Sequence, residues 1–322
     1  MPRVVPLSLP WTKRGSPEAR GVASDIADLV LAGRLSAGQK VLEAEALFAE
    51  AHQVRRAIMV SNGTDAIRLA LKAAGVQRDD EVIIPVFTFI ATANAALDLG
   101  ARVTAVDIRE DDYCMDPEAL NEAVEGNPSV KFVMPVHLYG HPANMTRIMD
   151  IADNRGLKVI EDAAQAHGAQ HMGRFAGSIG LAGAFSFYAT KNIGAAGEGG
   201  AVTTNDDLVA EYIGLHKGQG MGPSRYDYRI LGGNERMSEI AAVSIIPQIR
   251  MLPEDVALRS ANASMLTEGL KDIRGLVVPV QRAGNVHAWH QYTVRATGDA
   301  RVSRDELSAR LSELGIGNGV YY

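Results

Sequence analysis

Two short segments of the chain carry side chains that could together perform covalent and acid–base chemistry. Residues 183–205 read GAFSFYATKNIGAAGEGGAVTTN and place Lys191 between an apolar, strand-like run and a glycine-rich turn. Residues 159–168 read VIEDAAQAHG and end a buried strand on Asp162. A lysine can form a Schiff base with a carbonyl group, and an aspartate can hold the proton of a pyridinium nitrogen. Pyridoxal phosphate (PLP) chemistry requires both groups, so this pair predicts a PLP enzyme.

Both residues also have ordinary structural interpretations. An isolated lysine is usually a solvated surface charge, but Lys191 follows a Phe/Tyr-rich strand and precedes a run of Gly and Ala. Asp162 could cap a helix or join an internal salt bridge, since an unpaired buried carboxylate costs several kcal/mol of desolvation. A cofactor pyridinium is an equally good partner. Gln165, one turn further, could bind the same ligand, whereas His167 is interpreted as structural.

Two further strand ends could contact a flat, phosphorylated ligand. After the run AIMVS, a tight turn contains Gly63 and Thr64, and a helix is expected to begin there. Backbone N–H groups and a hydroxyl at a helix N-terminus bind anions, although a capped helix start with no ligand is the plainer interpretation. Phe89 follows the next strand and could stack on a cofactor ring, although such an aromatic more often belongs to the core.

Short apolar runs alternate with helix-like segments over most of the chain, which predicts an α/β fold. Ligands of open α/β sheets bind at the carboxyl ends of the strands. Close spacing of the last two runs of the sheet predicts a mixed, mostly parallel sheet of about seven strands flanked by helices. Beyond it we expect helices at 237–250 and 254–273 and a strand at 286–296. The predicted sheet strands are 57–61, 81–85, 102–108, 131–137, 158–163, 183–188 and 200–205.

Composition excludes several classes of protein. The chain has 322 residues, of which 47% are hydrophobic and 22% charged, as in an ordinary globular protein. Its net charge of −6 argues against a nucleic-acid surface. A single cysteine, Cys114, excludes an internal disulfide and fits a reducing cytoplasm. The histidines lack HExxH spacing, so no metal site is expected, and GxGxxG and P-loop patterns are absent.

The N-terminus and one nearly uncharged segment were tested for membrane signals. Three prolines lie within the first ten residues and no apolar run follows them, so no secretory signal is predicted. Residues 82–101 contain Pro85, Asn94 and Asp98, and we interpret them as strand, turn and helix rather than a membrane span.

Eight motifs in a fixed order resemble the DegT/StrS family of PLP-dependent sugar aminotransferases, over residues from about 20 to the end of the chain. Each motif alone is weak, but the ordered set is specific. The resemblance implies the fold-type-I aminotransferase architecture. The motifs are SNGTDA, PVFTFIATANA, DIREDDYCMDP, PVHLYGHPANM, VIEDAAQAHGA, SFYATKN, GEGGAVTTND and GGNERMSEI.

The resemblance also implies a role for each site residue. Lys191 would be the Schiff-base lysine and general acid/base, Asp162 would pair with the pyridine nitrogen of pyridoxal 5'-phosphate, and Gln165 would contact its phenolic oxygen. Phe89 would stack on the ring. The phosphate ligands would be Gly63, Thr64 and Ser186, with Asn234 reaching the phosphate of the partner subunit. A homodimer with shared active sites follows, with L-glutamate as the usual amino donor and a nucleotide-linked keto sugar as acceptor.

Three departures from the family pattern stand out. Ala189 replaces the proline that commonly precedes the Thr-Lys pair, and Glu235 replaces an aromatic residue near the expected substrate side. The chain ends at GIGNGVYY, where relatives usually continue. The domain division predicted is an N-terminal arm at 1–15, a large PLP-binding domain at 16–235 and a small C-terminal domain at 236–322, which we expect to be cut short.

Other functions remain compatible with the fold. The same chemistry could act on a ketocyclitol in aminocyclitol biosynthesis. A PLP-dependent sugar dehydratase is a second alternative, although such relatives carry histidine in place of Lys191. A non-catalytic homologue is a third, against which the intact Asp162, Ser186 and Lys191 argue.

Overall fold

The computed structural model describes residues 17–36 and 38–322. The predicted N-terminal arm, 1–15, lies outside the described residues. A division between large and small domains at residue 235 stays a prediction. Within the described ranges, no helix is both long and apolar enough to cross a membrane.

A seven-stranded mixed sheet forms the centre of the molecule, in the order β1-β9-β8-β5-β4-β2-β3. Only β9 runs antiparallel to its neighbours, since β1 and β8 both pair with it in that sense and the remaining pairs are parallel. The predicted mixed, mostly parallel seven-stranded sheet is therefore confirmed. Its strands are β1 (Arg56–Val60), β2 (Glu81–Pro85), β3 (Arg102–Val106), β4 (Phe132–Val133), β5 (Lys158–Asp162), β8 (Ala182–Ser186) and β9 (Gly200–Thr204).

Helices cover both faces of this sheet. Most of the sheet strands are almost wholly buried, which explains why they appear in the sequence as continuous apolar runs rather than alternating ones. The helices are α1 (Pro17–Leu31), α2 (Gln39–Ala51), α3 (Gly63–Ala73), α4 (Ala91–Asp98), α5 (Pro117–Gly126), α6 (Met145–Arg155), α7 (Asp207–Lys217), α8 (Glu239–Leu270) and α9 (Arg304–Glu313).

Helix α8 differs from the sequence expectation. Two helices were predicted, at 237–250 and 254–273, but a single helix of 32 residues contains both Pro247 and Pro253. An interior proline removes one helical hydrogen bond and costs about 3 kcal/mol. Ile245, Ile249 and Leu252 are buried in one core cluster on this helix, and burial of such side chains yields about 1.5–3 kcal/mol each. Packing therefore outweighs the helix-breaking signal.

The predicted strand at 286–296 is wrong for most of its length. Only its two ends form short strands, which join two separate small sheets. Between them the backbone binds another segment: Ala288 N–H donates to Gly140 O at 2.9 Å, and Gln291 N–H donates to Tyr139 O at 3.2 Å. The remaining short strands are β6 (Gln170–His171), β7 (Arg174–Phe175), β10 (Leu276–Val277), β11 (Asn285–Val286) and β12 (Arg295–Ala296).

Candidate active site

The candidate residues converge because their strands are neighbours in the sheet. Asp162 ends β5 opposite Ala184 of β8. Ser186 ends β8 opposite Gly200, and Gly200 also lies opposite the last residue of β1. The turn after β1, the turn after β8 and the end of β5 therefore share one edge of the sheet. This edge is where open α/β sheets bind ligands.

Asp162 is a buried carboxylate held by two neutral donors. Thr92 Oγ1 donates to Asp162 Oδ2 at 2.7 Å, and Ala164 N–H donates to Oδ1 at 3.1 Å. Burial raises the pKa of Asp162, while Thr92, the Ala164 N–H and the charge of Lys191 act against this rise. The carboxylate is thus short of a close cationic partner among the described residues.

Thr92 is a site residue that the sequence reasoning missed. It lies in the first turn of α4 and is itself bonded to Thr88, with the two hydroxyl oxygens 2.8 Å apart. Because Thr92 donates to Asp162, its oxygen is left to accept from the Thr88 hydroxyl. The motif PVFTFIATANA contains both threonines four residues apart, which was the available signal.

Lys191 lies in the turn that follows β8. Its N–H donates to Tyr188 O at 2.8 Å, which closes a tight turn directly after the strand. Burial lowers the pKa of the Lys191 amine, and the negative charge of Asp162 partly opposes this. A lowered pKa increases the fraction of neutral amine near pH 7, as a lysine that accepts a proton requires.

The backbone after Lys191 is fixed by polar side chains of α8. Gln248 Oε1 accepts from Gly194 N–H at 3.0 Å, and Ser244 Oγ accepts from Ala196 N–H at 2.8 Å. Asn192 Nδ2 donates to Ala288 O at 2.8 Å. All three anchoring side chains are buried. They hold the lysine-bearing turn rigid, as a site built for a defined proton transfer needs.

Gly63 and Ser186 form a close contact at the start of α3. A Cβ atom at Gly63 would lie 2.6 Å from Ser186 Cβ and 2.9 Å from its Oγ. Asn62 caps the helix by accepting from Asp65 N–H. The N–H groups that precede Asp65 in α3 have no acceptor inside the helix, because they lie at its N-terminus. One hydroxyl and these N–H groups form a donor set suited to a phosphate.

Substitution of Gly63 by alanine tests this close approach. We expect Gly63→Ala to lower the melting temperature and to weaken phosphate-dependent ligand binding, because the added methyl must displace Ser186. Gly214→Ala is the matched control: Gly214 lies within α7 with no atom within 4 Å of a built Cβ. It should be neutral or stabilise by about 0.4–1 kcal/mol. Thermal unfolding of both variants measures the change in melting temperature. Equal changes in the two variants would contradict a close contact between Gly63 and Ser186.

Gln165 and Phe89 lie around a phenol ring. Gln165 Oε1 accepts from Tyr139 N–H at 2.6 Å, and its Nε2 donates to the Tyr322 hydroxyl at 3.1 Å. The Tyr322 ring lies 6.2 Å from Phe89 and 5.6 Å from Phe87, measured between ring centroids. In this structure the Tyr322 phenol therefore lies between Gln165 and Phe89. Phe89 remains 55% exposed, so it is not a core residue.

Thr64 and Asn234 are both exposed in the single chain. Thr64 follows Gly63 in the first turn of α3. Asn234 pairs with Gly218 in an isolated β-bridge, which places it beside the end of α7. Neither exposure conflicts with the predicted phosphate contacts, but their roles stay predictions.

The resemblance places Glu235 near the expected substrate side, and the structure shows what this side chain binds. Its side chain is buried and forms an ion pair with Arg68 of α3, with Oε1 3.0 Å from Nη2. No local pattern predicts this pair, because the two residues lie 167 positions apart along the chain.

A second buried carboxylate, Glu161, stabilises the strand that carries Asp162. Glu161 precedes Asp162 and accepts from the N–H groups of Gly177, Ile179 and Gly180 at 2.7–2.9 Å. His137 Nε2 lies 2.9 Å from Glu161 Oε2, and its Nδ1 accepts from a backbone N–H. Burial acts against it, but these hydrogen bonds lower the pKa of Glu161. Glu161 thus ties β5 to the loop that enters β8.

Comparison with known proteins gives a consistent result. The model of the DegT/DnrJ/EryC1/StrS aminotransferase family matches residues 20–322. The dTDP-3-amino-3,4,6-trideoxy-alpha-D-glucose transaminase of Micromonospora megalomicea subsp. nigra is 41% identical over 297 residues, covering 90% of this chain and 78% of the relative. The UDP-N-acetyl-3-dehydro-alpha-D-glucosamine 3-aminotransferase of Acidithiobacillus ferrooxidans is 39% identical over 284 residues, covering 88% and 74%.

The fold comparison agrees with the sequence comparison. The crystal structure of S. venezuelae DesV in complex with a ketimine intermediate superposes with a TM-score of 0.87 at 36% identity, covering 93% of this chain and 78% of that one. Its fold is the fold-type-I architecture of PLP-dependent aminotransferases, which confirms the predicted fold class.

Proposed function

Because this chain belongs to the DegT/DnrJ/EryC1/StrS aminotransferase family and is a transaminase, we propose that it moves an amino group from an amino acid, L-glutamate, to a keto group of a nucleotide-linked sugar. The cofactor is pyridoxal 5'-phosphate. Relatives named for dTDP-linked and UDP-linked sugars support the nucleotide-sugar acceptor. The buried carboxylate of Asp162 close to the lysine-bearing turn is the single observation that carries the proposal.

The donor set around Asp162 fits a protonated pyridine nitrogen. A fully buried carboxylate whose pKa is raised by burial gains most from a cation that enters the site with the ligand. Thr92 and the Ala164 N–H fix both oxygens, so the carboxylate is already oriented. When bound, the cofactor supplies an electron sink for the substrate carbon, and Asp162 keeps its ring nitrogen protonated.

The remaining contacts fit the rest of the cofactor. Ser186 Oγ and the first N–H groups of α3 would hold the phosphate, with Thr64 beside them. Gln165 Nε2, which now donates to a phenol, would donate to the phenolic oxygen of the cofactor in place of Tyr322. Phe89 lies beside the Tyr322 ring and would stack on the cofactor ring in its place.

Lys191 is the residue that moves protons in this proposal. Its amine is neutral more often than an exposed lysine, because burial lowers its pKa. A neutral amine could take the proton from the α-carbon of the donor amino acid and deliver it to the cofactor carbon, and in the second half-reaction it would move a proton in the opposite direction onto the acceptor carbon. Hydrogen bonds from Gly194 N–H and Ala196 N–H to side chains of α8 fix the backbone that follows Lys191.

A homodimer is part of the proposal. Exposed apolar side chains occur in the segment before α4 and in the segment before Asn234, and Asn234 would reach the phosphate of the partner subunit. The exposed fractions are 61% for Val86, 60% for Ile90, 67% for Tyr226, 61% for Tyr228 and 85% for Leu231.

Leu231→Asp tests the dimer. We expect the mass in solution to fall from twice 34.4 kDa toward 34.4 kDa, with the dimer dissociation constant about a hundredfold higher because two aspartates would be buried. Leu208→Asp is the control, since Leu208 is 76% exposed on α7. Light scattering after size exclusion reads both. A monomeric wild type, or equal effects of the two variants, would contradict the dimer.

The visible absorption of the purified protein tests the proposed reaction. Protein carrying PLP should show the band of the bound cofactor, and excess L-glutamate should bleach it, with 2-oxoglutarate formed in equal amount. A panel of nucleotide-linked keto sugars should then restore the band and give an aminated product detected by mass. A band that L-glutamate leaves unchanged would exclude that donor, and no PLP binding would overturn the proposal.

A further inference from the structure

Arg68 of α3 joins two carboxylates from distant parts of the chain. Its Nη2 donates to Asp65 Oδ1 at 2.8 Å and to Glu235 Oε1 at 3.0 Å. The side chains of all three residues are at most 21% exposed, and that of Glu235 only 7%. Charges buried to this extent are stable only when they are paired. Loss of Arg68 would remove this cation from both carboxylates, whereas loss of Glu235 would remove one of the two carboxylates that hold the guanidinium.

Asp65 in turn fixes the turn that begins α3. Its Oδ2 accepts from the Ser61 hydroxyl and from Asn62 Nδ2, the latter at 2.8 Å. Burial acts in the opposite direction, but the hydrogen bonds from Arg68 and Ser61 lower the pKa of Asp65. Asp65 therefore stays charged and holds both residues that precede Gly63.

Glu235 also binds this turn through its backbone carbonyl oxygen. Ser61 N–H donates to Glu235 O at 2.9 Å. The Glu235 carboxylate folds back over Gly233, where a Cβ atom would lie 2.1 Å from Oε1. The conformation of the segment that carries Asn234 therefore depends on the same side chain that binds Arg68.

We propose that Arg68 and Glu235 are positioning residues for the phosphate of the cofactor. Through Asp65, Arg68 holds the Ser61–Asn62–Gly63 turn in place. Glu235 holds the same turn through its carbonyl oxygen, and its side chain fixes the backbone next to Asn234. Neither residue needs to touch the ligand. This inference rests on the proposed function, because it assigns the turn at the start of α3 to the cofactor phosphate.

An electrostatic role and a positioning role of Glu235 predict opposite effects of Glu235→Gln on phosphate binding. Loss of this carboxylate makes the surroundings of the turn more positive, so a purely electrostatic role would strengthen binding of a phosphate. A positioning role predicts weaker binding, because a neutral amide holds the Arg68 guanidinium less firmly than a carboxylate does. Gln also keeps the size of Glu, so the core around it is little disturbed.

The experiment compares two ligands that differ only in the phosphate. Absorption titrations with pyridoxal 5'-phosphate and with pyridoxal, on full-length protein stripped of cofactor, give one dissociation constant for each. We expect Arg68→Gln and Glu235→Gln to weaken PLP binding by about tenfold or more, and pyridoxal binding by less than about twofold. The double variant should be no weaker than Arg68→Gln alone, since both changes break one interaction.

Arg282→Gln is the matched control. Arg282 Nε pairs with Asp112 Oδ2 at 2.6 Å, and that carboxylate is buried, as is Glu235, but the ion pairs of Arg282 and Asp112 in the described structure do not involve α3. It should leave both dissociation constants unchanged even if the melting temperature falls. Arg68→Lys, which keeps the charge but not the fork of two donors, provides a milder variant if Arg68→Gln fails to fold.

Each result decides the proposal. Unchanged or tighter PLP binding by Glu235→Gln would overturn it, as would equal weakening of PLP and pyridoxal, which indicates a general structural role. Failure of the wild type to bind PLP would overturn the proposed function itself. The two failures are therefore distinguishable.

Discussion

Replacement of Lys191 by alanine removes amino transfer, with an expected loss of about a thousandfold or more in turnover. The reason is geometric as well as chemical. Lys191 is the partly buried amine whose turn directly follows β8, next to the strand that ends at Asp162, and its pKa is lowered by burial. No other residue in the described part of the site combines a neutral amine with this position. The rate at which 2-oxoglutarate forms from L-glutamate in a single turnover measures the loss directly.

Two controls separate chemistry from folding. Lys191→Arg keeps a positive charge in the turn but cannot serve as a neutral base, so it should be as inactive as alanine. Lys131→Ala removes a side chain that is 70% exposed and should leave turnover unchanged. Circular dichroism and thermal unfolding confirm that each variant is folded. Activity above about a tenth of the wild type in a folded Lys191→Ala protein would refute its role.

Asp162→Asn separates function from stability. We expect turnover to fall by about a hundredfold or more, because a neutral amide cannot hold the pyridinium proton. The cofactor-free variant should nevertheless be more stable than the wild type at neutral pH, by about 1 kcal/mol, because it no longer buries a carboxylate that lacks a close cation. Asn is the same size as Asp and can still bond to Thr92 and the Ala164 N–H.

The stability gain has a defined pH dependence. Burial raises the folded-state pKa of Asp162 above its unfolded value, so the folded protein holds the proton longer as the pH rises. Wild-type stability therefore decreases with rising pH between the unfolded and the folded pKa. The variant does not titrate there, so its advantage is absent below the unfolded pKa and constant above the folded one. Denaturant unfolding at several pH values, without cofactor, measures this. A variant less stable than the wild type at neutral pH would contradict the assigned cause.

Bound cofactor should reverse the order of stabilities. A pyridinium beside Asp162 replaces the missing cation, so the wild type gains more from saturating PLP than Asp162→Asn does. Melting temperatures with and without PLP give both differences from the same samples. An equal gain in the two proteins would place the ring nitrogen elsewhere.

Local sequence patterns predicted the elements of the sheet well. Strand β2 was predicted with its observed bounds, and β1, β5, β8 and β9 within one or two residues. These strands are buried on both faces, so each is a continuous apolar run that local composition reveals. Helix α8 and the segment at 286–296 were predicted less well, because packing against distant residues decided their conformation.

Site residues divide in the same way. Lys191, Asp162, Gly63 and Ser186 are adjacent to recognisable strand ends, and the order of the motifs predicts them as site residues. Thr92 became visible only as the donor to Asp162, 70 positions further along the chain. The pairing of Arg68 with Glu235, 167 positions apart, had no local signal at all.

The sequence by itself determined the fold class and the family, and it predicts the groups that would carry the chemistry, because each is encoded in short segments of the chain. Only the tertiary structure decided which groups hold those residues in place. Thr92, Arg68 and Glu235 act across the sheet edge, and their energies depend on burial and on distances below 3.1 Å that no spacing along the chain specifies. Hydrogen bonds and buried charges are decided by contact in space, which local periodicity does not record.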